Sequence, residues 1–164
     1  MVNFARNIIM KPVHVTAAVI RKNRRILLCG RARKSVYADE LEFPGGKQEP
    51  GETLPQCLQR EIREELGADV LVLDQIGENI VQVGDKCYHL HFLRAMFRPD
   101  SPEPVPREGQ KMFWGRTAEL DSAPMLPGDA HLAALLAEAE KTENLSIRHN
   151  KTADPAFYAV KENN

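Results

Sequence analysis

The sequence predicts an α+β domain. Three observations carry that prediction: strand-length apolar runs outnumber helical ones, these runs come in pairs separated by short polar turns, and only two segments repeat with a helical period. Residues 13–20 form a nearly continuous apolar run suited to a buried strand, residues 21–25 a polar turn, and residues 26–29 the returning arm of a hairpin. A loop over residues 31–41 leads to Glu42-Phe43-Pro44-Gly45-Gly46, where paired glycines let the backbone approach a ligand closely. A helix is expected over residues 53–66, with Pro55 in its first turn and Gly67 as its stop. Residues 70–83 and 87–97 read as two longer strands joined at Gly84-Asp85. Prolines at 99, 102, 104 and 106 stiffen an exposed loop that leads to Glu108, and residues 111–115 read as a short strand. After a loop over residues 124–128, Asp129 begins an Ala/Leu-rich helix that extends to about Lys141. The domain is therefore placed at residues 1–142, followed by a polar tail over 143–164 that is either disordered or a docking arm.

Composition bounds the function. A chain of 164 residues forms one domain that removes about 70% of its unfolded surface from water. A net charge of −1 marks neither a broad nucleic-acid binder nor a membrane-surface protein, so no stable nucleic-acid complex and no membrane association are expected. No stretch approaches about 18 consecutive apolar residues, and the first dozen residues lack a leader pattern, so a cytoplasmic location is the default expectation. The three cysteines, Cys29, Cys57 and Cys87, lie far apart without metal-ligand spacing and read as small buried hydrophobes. His14 in its apolar strand and Trp114 read as packing residues.

The chemistry lies in residues 46–68. Gly46, Glu52, Arg60, Glu61, Glu64, Glu65 and Gly67 follow the pattern G-x5-E-x7-R-E-U-x-E-E-x-G-U, with U apolar. At about 100° per residue, Leu54, Leu58, Ile62 and Leu66 form one apolar stripe and Glu61, Glu64 and Glu65 fall on the flank beside it. Such a helix buries one edge and aims carboxylates from the other. Glu61 and Glu65 form an i,i+4 like-charge pair that alone destabilises the helix by about 0.2–0.5 kcal/mol, a sign that a bound cation reverses. Clustered glutamates without a Cys/His ligand set favour Mg²⁺, with Mn²⁺ as a substitute, over Zn²⁺.

This spacing is the signature of Nudix hydrolases, which the chain resembles, and within them it looks most like the MutT-type nucleoside triphosphate pyrophosphohydrolases. The residues that carry the closer likeness are 26–32, the run Leu41-Glu42-Phe43-Pro44-Gly45-Gly46-Lys47, Asp85 at a hairpin, Glu108-Gly109-Gln110, and Pro127 ahead of Asp129. The resemblance covers roughly residues 13–140. It implies a mixed β-sheet between α-helices, an α/β/α sandwich. It also implies that the Gly46 carbonyl and the carboxylates of Glu61, Glu64 and Glu65 hold metal, that Arg60 orients Glu61, and that Glu52 orders the ligands or waters. Glu108 resembles the additional carboxylate that binds metal or helps to deprotonate the attacking water. Which glutamate is the general base stays open.

The resemblance implies hydrolysis of a nucleoside triphosphate by attack of water on the β-phosphorus, giving a monophosphate and pyrophosphate. A triphosphate repels a nucleophilic water, so metal must neutralise charge and lower the water's pKa. Arg31, Lys47 and Lys86 are the candidates for contacts to phosphate oxygens. Phe43 is expected beside the base. Asp129 faces the base edge on one reading and caps a helix on the other. An ionised Asp only accepts hydrogen bonds, which suits the N–H donors of guanine and the amino group of cytosine alike. Sanitation of 8-oxo-dGTP, as in DNA repair, leads; CTP or a modified pyrimidine nucleotide follows. ADP-ribose, a dinucleoside polyphosphate or capped RNA are the other Nudix substrates considered, and a non-catalytic nucleotide-sensing module is the non-enzymatic alternative. A monomer or homodimer acting on a small nucleotide is expected.

Overall fold

The computed structural model describes residues 11–30 and 40–152. In chain order these form β1 (Val13–Lys22), β2 (Arg25–Gly30), β3 (Leu41–Glu42), α1 (Leu54–Leu66), β4 (Val70–Val83), β5 (Lys86–Phe97), β6 (Lys111–Arg116), a 3-10 turn (Thr117–Ser122) and α2 (Pro127–Thr152). The sheet runs β3-β2-β1-β5-β4 with β6 on the other side of β2. It is mixed, because β1 and β5 pair in parallel while the remaining pairs are antiparallel.

Strand alternation sends successive side chains to opposite faces, and each face is covered by one helix. Ala18, Ile20, Leu27, Cys29, Leu93 and Ala95 pack with Leu58, Ile62 and Leu66 of α1. Ala17, Val19, Ile26, Leu28 and Phe92 pack with Leu132, Ala133 and Ala137 of α2. The chain thus builds an α/β/α sandwich with a mixed sheet at its centre.

The divergence of β1 from β2 positions the site. These strands pair only at Arg21↔Ile26 and Lys22↔Arg25, next to a turn in which Asn23 and Arg24 have φ of 50° and 62°. Farther along, β1 has a free edge, and residues 41–48 fill the gap. Leu41 and Glu42 pair with Gly30 and Cys29 of β2. The segment then crosses to β1, where the Ala18 amide donates to the Pro44 carbonyl (2.7 Å), the Thr16 amide to Gly46 (2.8 Å), and the Gln48 amide to the His14 carbonyl (2.9 Å).

α1 follows at once and is capped as its sequence requires. Thr53 accepts from the Gln56 amide while the Gln56 side chain accepts from the Thr53 amide (2.8 Å), which satisfies two otherwise orphaned donors. At the far end the Gly67 amide donates to the Arg63 carbonyl at 3.0 Å.

α2 differs from the sequence reading at both ends. It begins at Pro127, and the Leu126 carbonyl accepts from the amides of both Asp129 and Ala130 (2.9 Å each). Asp129 therefore lies inside the first turn and is not the cap. The helix continues to Thr152, so residues 143–152 extend it and the boundary placed at 142 falls within it. Apolar density drops after Ala139, which suggested an end, but no Gly or Pro occurs between Gly128 and Pro155 to stop the helix. The rest of the expected tail, residues 153–164, lies outside the described residues. Glu140 of α2, almost fully buried, is clasped by Arg21 and Arg24 from the two sides of the β1–β2 turn.

Ile62 sits wholly buried between α1 and the sheet. Ile62→Ala is expected to cost about 2–5 kcal/mol of stability, read from urea unfolding, because the rigid sheet cannot close the cavity. A loss below about 1 kcal/mol would mean that α1 is not anchored through this stripe.

Candidate active site

The apolar stripe of α1 against the sheet turns its opposite flank toward the crossing segment, and Arg60 lies at the junction. Its guanidinium donates a fork to Glu52, Nη2 to Oε1 at 2.8 Å and Nε to Oε2 at 3.2 Å. Nη1 donates to Glu61 Oε1 (2.9 Å) and to Glu64 Oε2 (3.1 Å), and Nη2 also reaches the Lys47 carbonyl (2.9 Å). One planar cation thereby fixes three carboxylates and the backbone of the glycine loop. Hydrogen bonds from Arg60, then one from the Glu49 backbone, hold Glu52 down to about 2, so it stays ionised and locked.

The glycine loop comes as close as atoms allow. At Gly46 a Cβ would stand 2.3 Å from Glu61 Cδ, and at Gly45, with φ +153°, it would stand 2.1 Å from the Thr16 carbonyl oxygen. The Gly46 carbonyl, expected to face a metal, accepts from the Thr16 amide (2.8 Å) and hydroxyl (3.4 Å) and from the Cys57 thiol (3.6 Å). These bonds hold the loop on β1, and the missing side chain of residue 46 leaves room for Glu61.

The loop after β5 completes the site. The Arg107 amide and the Gln110 side chain both donate to the Glu65 carbonyl, at 2.8 and 3.1 Å, and the Gln110 side chain also accepts from the Glu108 amide at 2.8 Å. These bonds use the open carbonyl end of α1 to hold Glu108 beside it. Four carboxylates then act on one another: burial first, then the charges of Glu61, Glu108 and Glu42, push Glu65 up to about 8. Burial also raises Glu61, against the pull of Arg60. Behind them lies the Cys29 thiol, pushed up to about 12 by burial and then by Glu65 and Glu42; burial likewise lifts Cys57 to about 11. Neither is a nucleophile at neutral pH.

An all-oxygen donor set, ionised at a cost and organised by an arginine, is the pattern expected of a hard divalent-ion site on a phosphate-cleaving enzyme, and residues 10–137 match the NUDIX domain family. The chain belongs to the Nudix family. It is 36% identical over 124 residues to a CTP pyrophosphohydrolase of Escherichia coli strain K12, covering 75% of this chain and 90% of that protein. It is 34% identical over 123 residues to an 8-oxo-dGTP diphosphatase of Haemophilus influenzae, covering 74% and 89%. Among solved structures, the E. coli ORF135 protein superposes with a TM-score of 0.67 at 34% identity, covering 88% of this chain and 96% of that one. The protein is a Nudix nucleotide pyrophosphohydrolase of MutT-like type, and Nudix hydrolases work with divalent metal ions.

The residues expected to meet substrate are less uniformly placed. Lys47 is exposed beside the Arg60 clamp, and Lys86 is exposed where β5 begins, paired with Val83 across the hairpin. Arg31 lies outside the described residues. Phe43 is only 3% exposed; it sets its ring edge-on to Phe92 at 5.9 Å within the α2-side core, so it offers no open face for stacking. Asp129 is buried on that same α2 side, one residue after Gly128, whose carbonyl accepts from Asn79 at 3.0 Å. Glu42 is the member of the carboxylate group that the sequence reading passed over. Its signal was its place in β3, two residues ahead of Pro44-Gly45.

Because Glu65 is raised in the folded chain, the native state retains a proton that the unfolded state releases between about 4.5 and about 8. This group's contribution to stability is therefore greatest on the acid side and is lost as pH rises through that window. A divalent ion held by the Glu65 carboxylate would expel that proton. Calorimetry should show Mg²⁺ affinity rising toward tenfold per pH unit from about pH 6 and levelling off above about pH 8, with Glu65→Gln flattening the profile. An affinity independent of pH in the native chain would contradict the coupling.

Proposed function

We propose that the protein hydrolyses a nucleoside triphosphate to the monophosphate and pyrophosphate with Mg²⁺, which Mn²⁺ can replace. The observation that carries this reading is the Arg60 clamp, which fixes Glu61 and Glu64 on the helix flank whose Glu65 feels the charges of Glu61 and Glu108. Burial, and then the repulsion of neighbouring carboxylates, raises Glu65, which fits a site made for positive charge, and the oxygen donors fit a hard ion. When bound, such an ion offsets phosphate charge and lowers the pKa of the attacking water.

In this reading Glu61, Glu64, Glu65 and Glu108 would hold the metal. Arg60 positions Glu61 and Glu64, and Glu52 positions Arg60. Gly46 supplies clearance for Glu61, and its carbonyl, which accepts from the Thr16 amide, would offer its remaining lone pair to the metal. Lys47, Lys86 and Arg31 bind phosphate oxygens as flexible cations. A carboxylate of the cluster accepts the proton of the attacking water, a role that needs an acidity near the working pH.

Asp129 is proposed to read the base edge from the first turn of α2. The two oxygens of a carboxylate match the adjacent ring N–H and amino donors of guanine, which supports 8-oxo-dGTP as substrate. CTP is the second reading; the 36%-identical relative is a CTP pyrophosphohydrolase, and the cytosine amino group is also a donor to Asp129.

The test is pyrophosphate release from a panel of 8-oxo-dGTP, dGTP, CTP, dCTP and ADP-ribose, read as kcat/KM. Preference for 8-oxo-dGTP is expected, together with a change of preference in Asp129→Asn; a preference for CTP would select the second reading, and no turnover of any triphosphate would refute both. Glu64→Gln and Glu65→Gln are each expected to lower kcat by at least about 10³. Near-normal activity of either variant would remove that residue from the donor set.

A further inference from the structure

On the α1 side of the sheet, beyond Thr16, three imidazoles meet. Parallel pairing of β1 with β5 sets His14 opposite His89 and Thr16 opposite His91, so all three rings share one face. His14 Nδ1 lies 2.9 Å from His91 Nε2, and the His89 and His91 ring centroids are 4.1 Å apart. One nitrogen from each ring lies within 4.8 Å of the other two.

Several features of this cluster are costly for ordinary packing. His91 is 6% exposed, and its Nδ1 has no hydrogen-bond partner among the described residues. The 2.9 Å contact can carry only one proton, because protons on both facing nitrogens would set two N–H groups against each other. Burial, then the neighbouring His89 and His14, hold His91 below the ordinary imidazole range, which favours the neutral, ligating form. Glu78, next to His91 across the β4–β5 pair, holds His89 Nε2 at 3.1 Å, the kind of carboxylate that orients a ligating imidazole.

We propose that His14, His89 and His91 form a second metal site, selective for a borderline transition-metal ion such as Zn²⁺ and separate from the carboxylate centre. Imidazole nitrogen suits Zn²⁺, whereas Mg²⁺ requires oxygen, so the two sites sort their ions by donor type. Tetrahedral Zn²⁺ with bonds of about 2.0–2.1 Å sets ligand nitrogens about 3.3 Å apart, so the His14–His91 contact opens by only a few tenths of an ångström. The ion would replace the shared proton and tie β1 to β5. Since the His14 carbonyl holds the Gln48 amide at 2.9 Å, that tie steadies the strand on which the glycine loop rests.

Co²⁺ is the probe, because three imidazoles in tetrahedral geometry give it strong visible absorption and an octahedral oxygen site gives it little. Titrating Co²⁺ into the full chain in excess Mg²⁺ should saturate a tetrahedral band at one equivalent, and Zn²⁺ should bleach it. Glu65→Gln should keep the band and His91→Gln should lose it. If His91→Gln fails to fold, the partly buried positions decide: His89→Gln and His14→Gln should each weaken Co²⁺ binding at least about tenfold. No tetrahedral band, a band removed by Mg²⁺ or by Glu65→Gln, or a band unchanged in His89→Gln would overturn the proposal. The absorption readout does not depend on turnover, so it stands or falls apart from the substrate panel.

Discussion

Glutamates crowded on one flank of a helix repel one another, and left alone they would splay into solvent or take up protons. Arg60 prevents both. Its fork onto Glu52 uses the planar match between guanidinium and carboxylate, and the remaining N–H groups fix Glu61, Glu64 and the Lys47 carbonyl. Lysine could not do this, since a single ammonium cannot address three carboxylates in fixed directions. The clamp holds two of the donors while Glu65, deeper and without such a partner on its carboxylate beyond a Gly45 backbone hydrogen bond among the interactions that set its acidity, keeps the raised value. The site is thus partly organised and partly strained by charge before any ion binds, the condition under which a cation gains most from binding.

The fold supplies what the clamp needs. If β1 and β2 paired along their full length, no edge would remain for residues 44–48, and Gly46 could not be brought against Glu61. Their early divergence makes β1 a shared support, with β5 on one side and the glycine loop on the other. The carbonyl end of α1 then captures residues 105–110 and with them Glu108. Helix ends and strand edges, each with unsatisfied backbone groups, are used here to place side chains.

How much of this was legible in the sequence follows from how local each signal is. The helical period alone set Leu58, Ile62 and Leu66 against the sheet and the glutamates beside them, and Arg60 donates to its neighbour Glu61. Strand pairs read well because their turns are short. Glu42 was missed because its nearness to Glu65 depends on β3 crossing from β2 to β1, which no local pattern encodes. The same holds for the histidines: His14 read as a packing residue, and its partner His91 lies 77 positions away across a parallel pair. Phe43 reads as apolar whether it packs or stacks, and only its contact with Phe92 tells which. Asp129 has the composition of a cap, yet Pro127 starts the helix two residues earlier.

If the Arg60 clamp organises the donor set, Glu52 acts on catalysis only through Arg60. A double-mutant cycle of Arg60→Gln and Glu52→Gln, read in kcat and in Mg²⁺ affinity, measures this directly. Each single substitution should lower both by at least about tenfold, and the double variant should lose no more than the worse single one. Losses that multiply in the double variant would show Glu52 acting independently of Arg60 and would contradict the account.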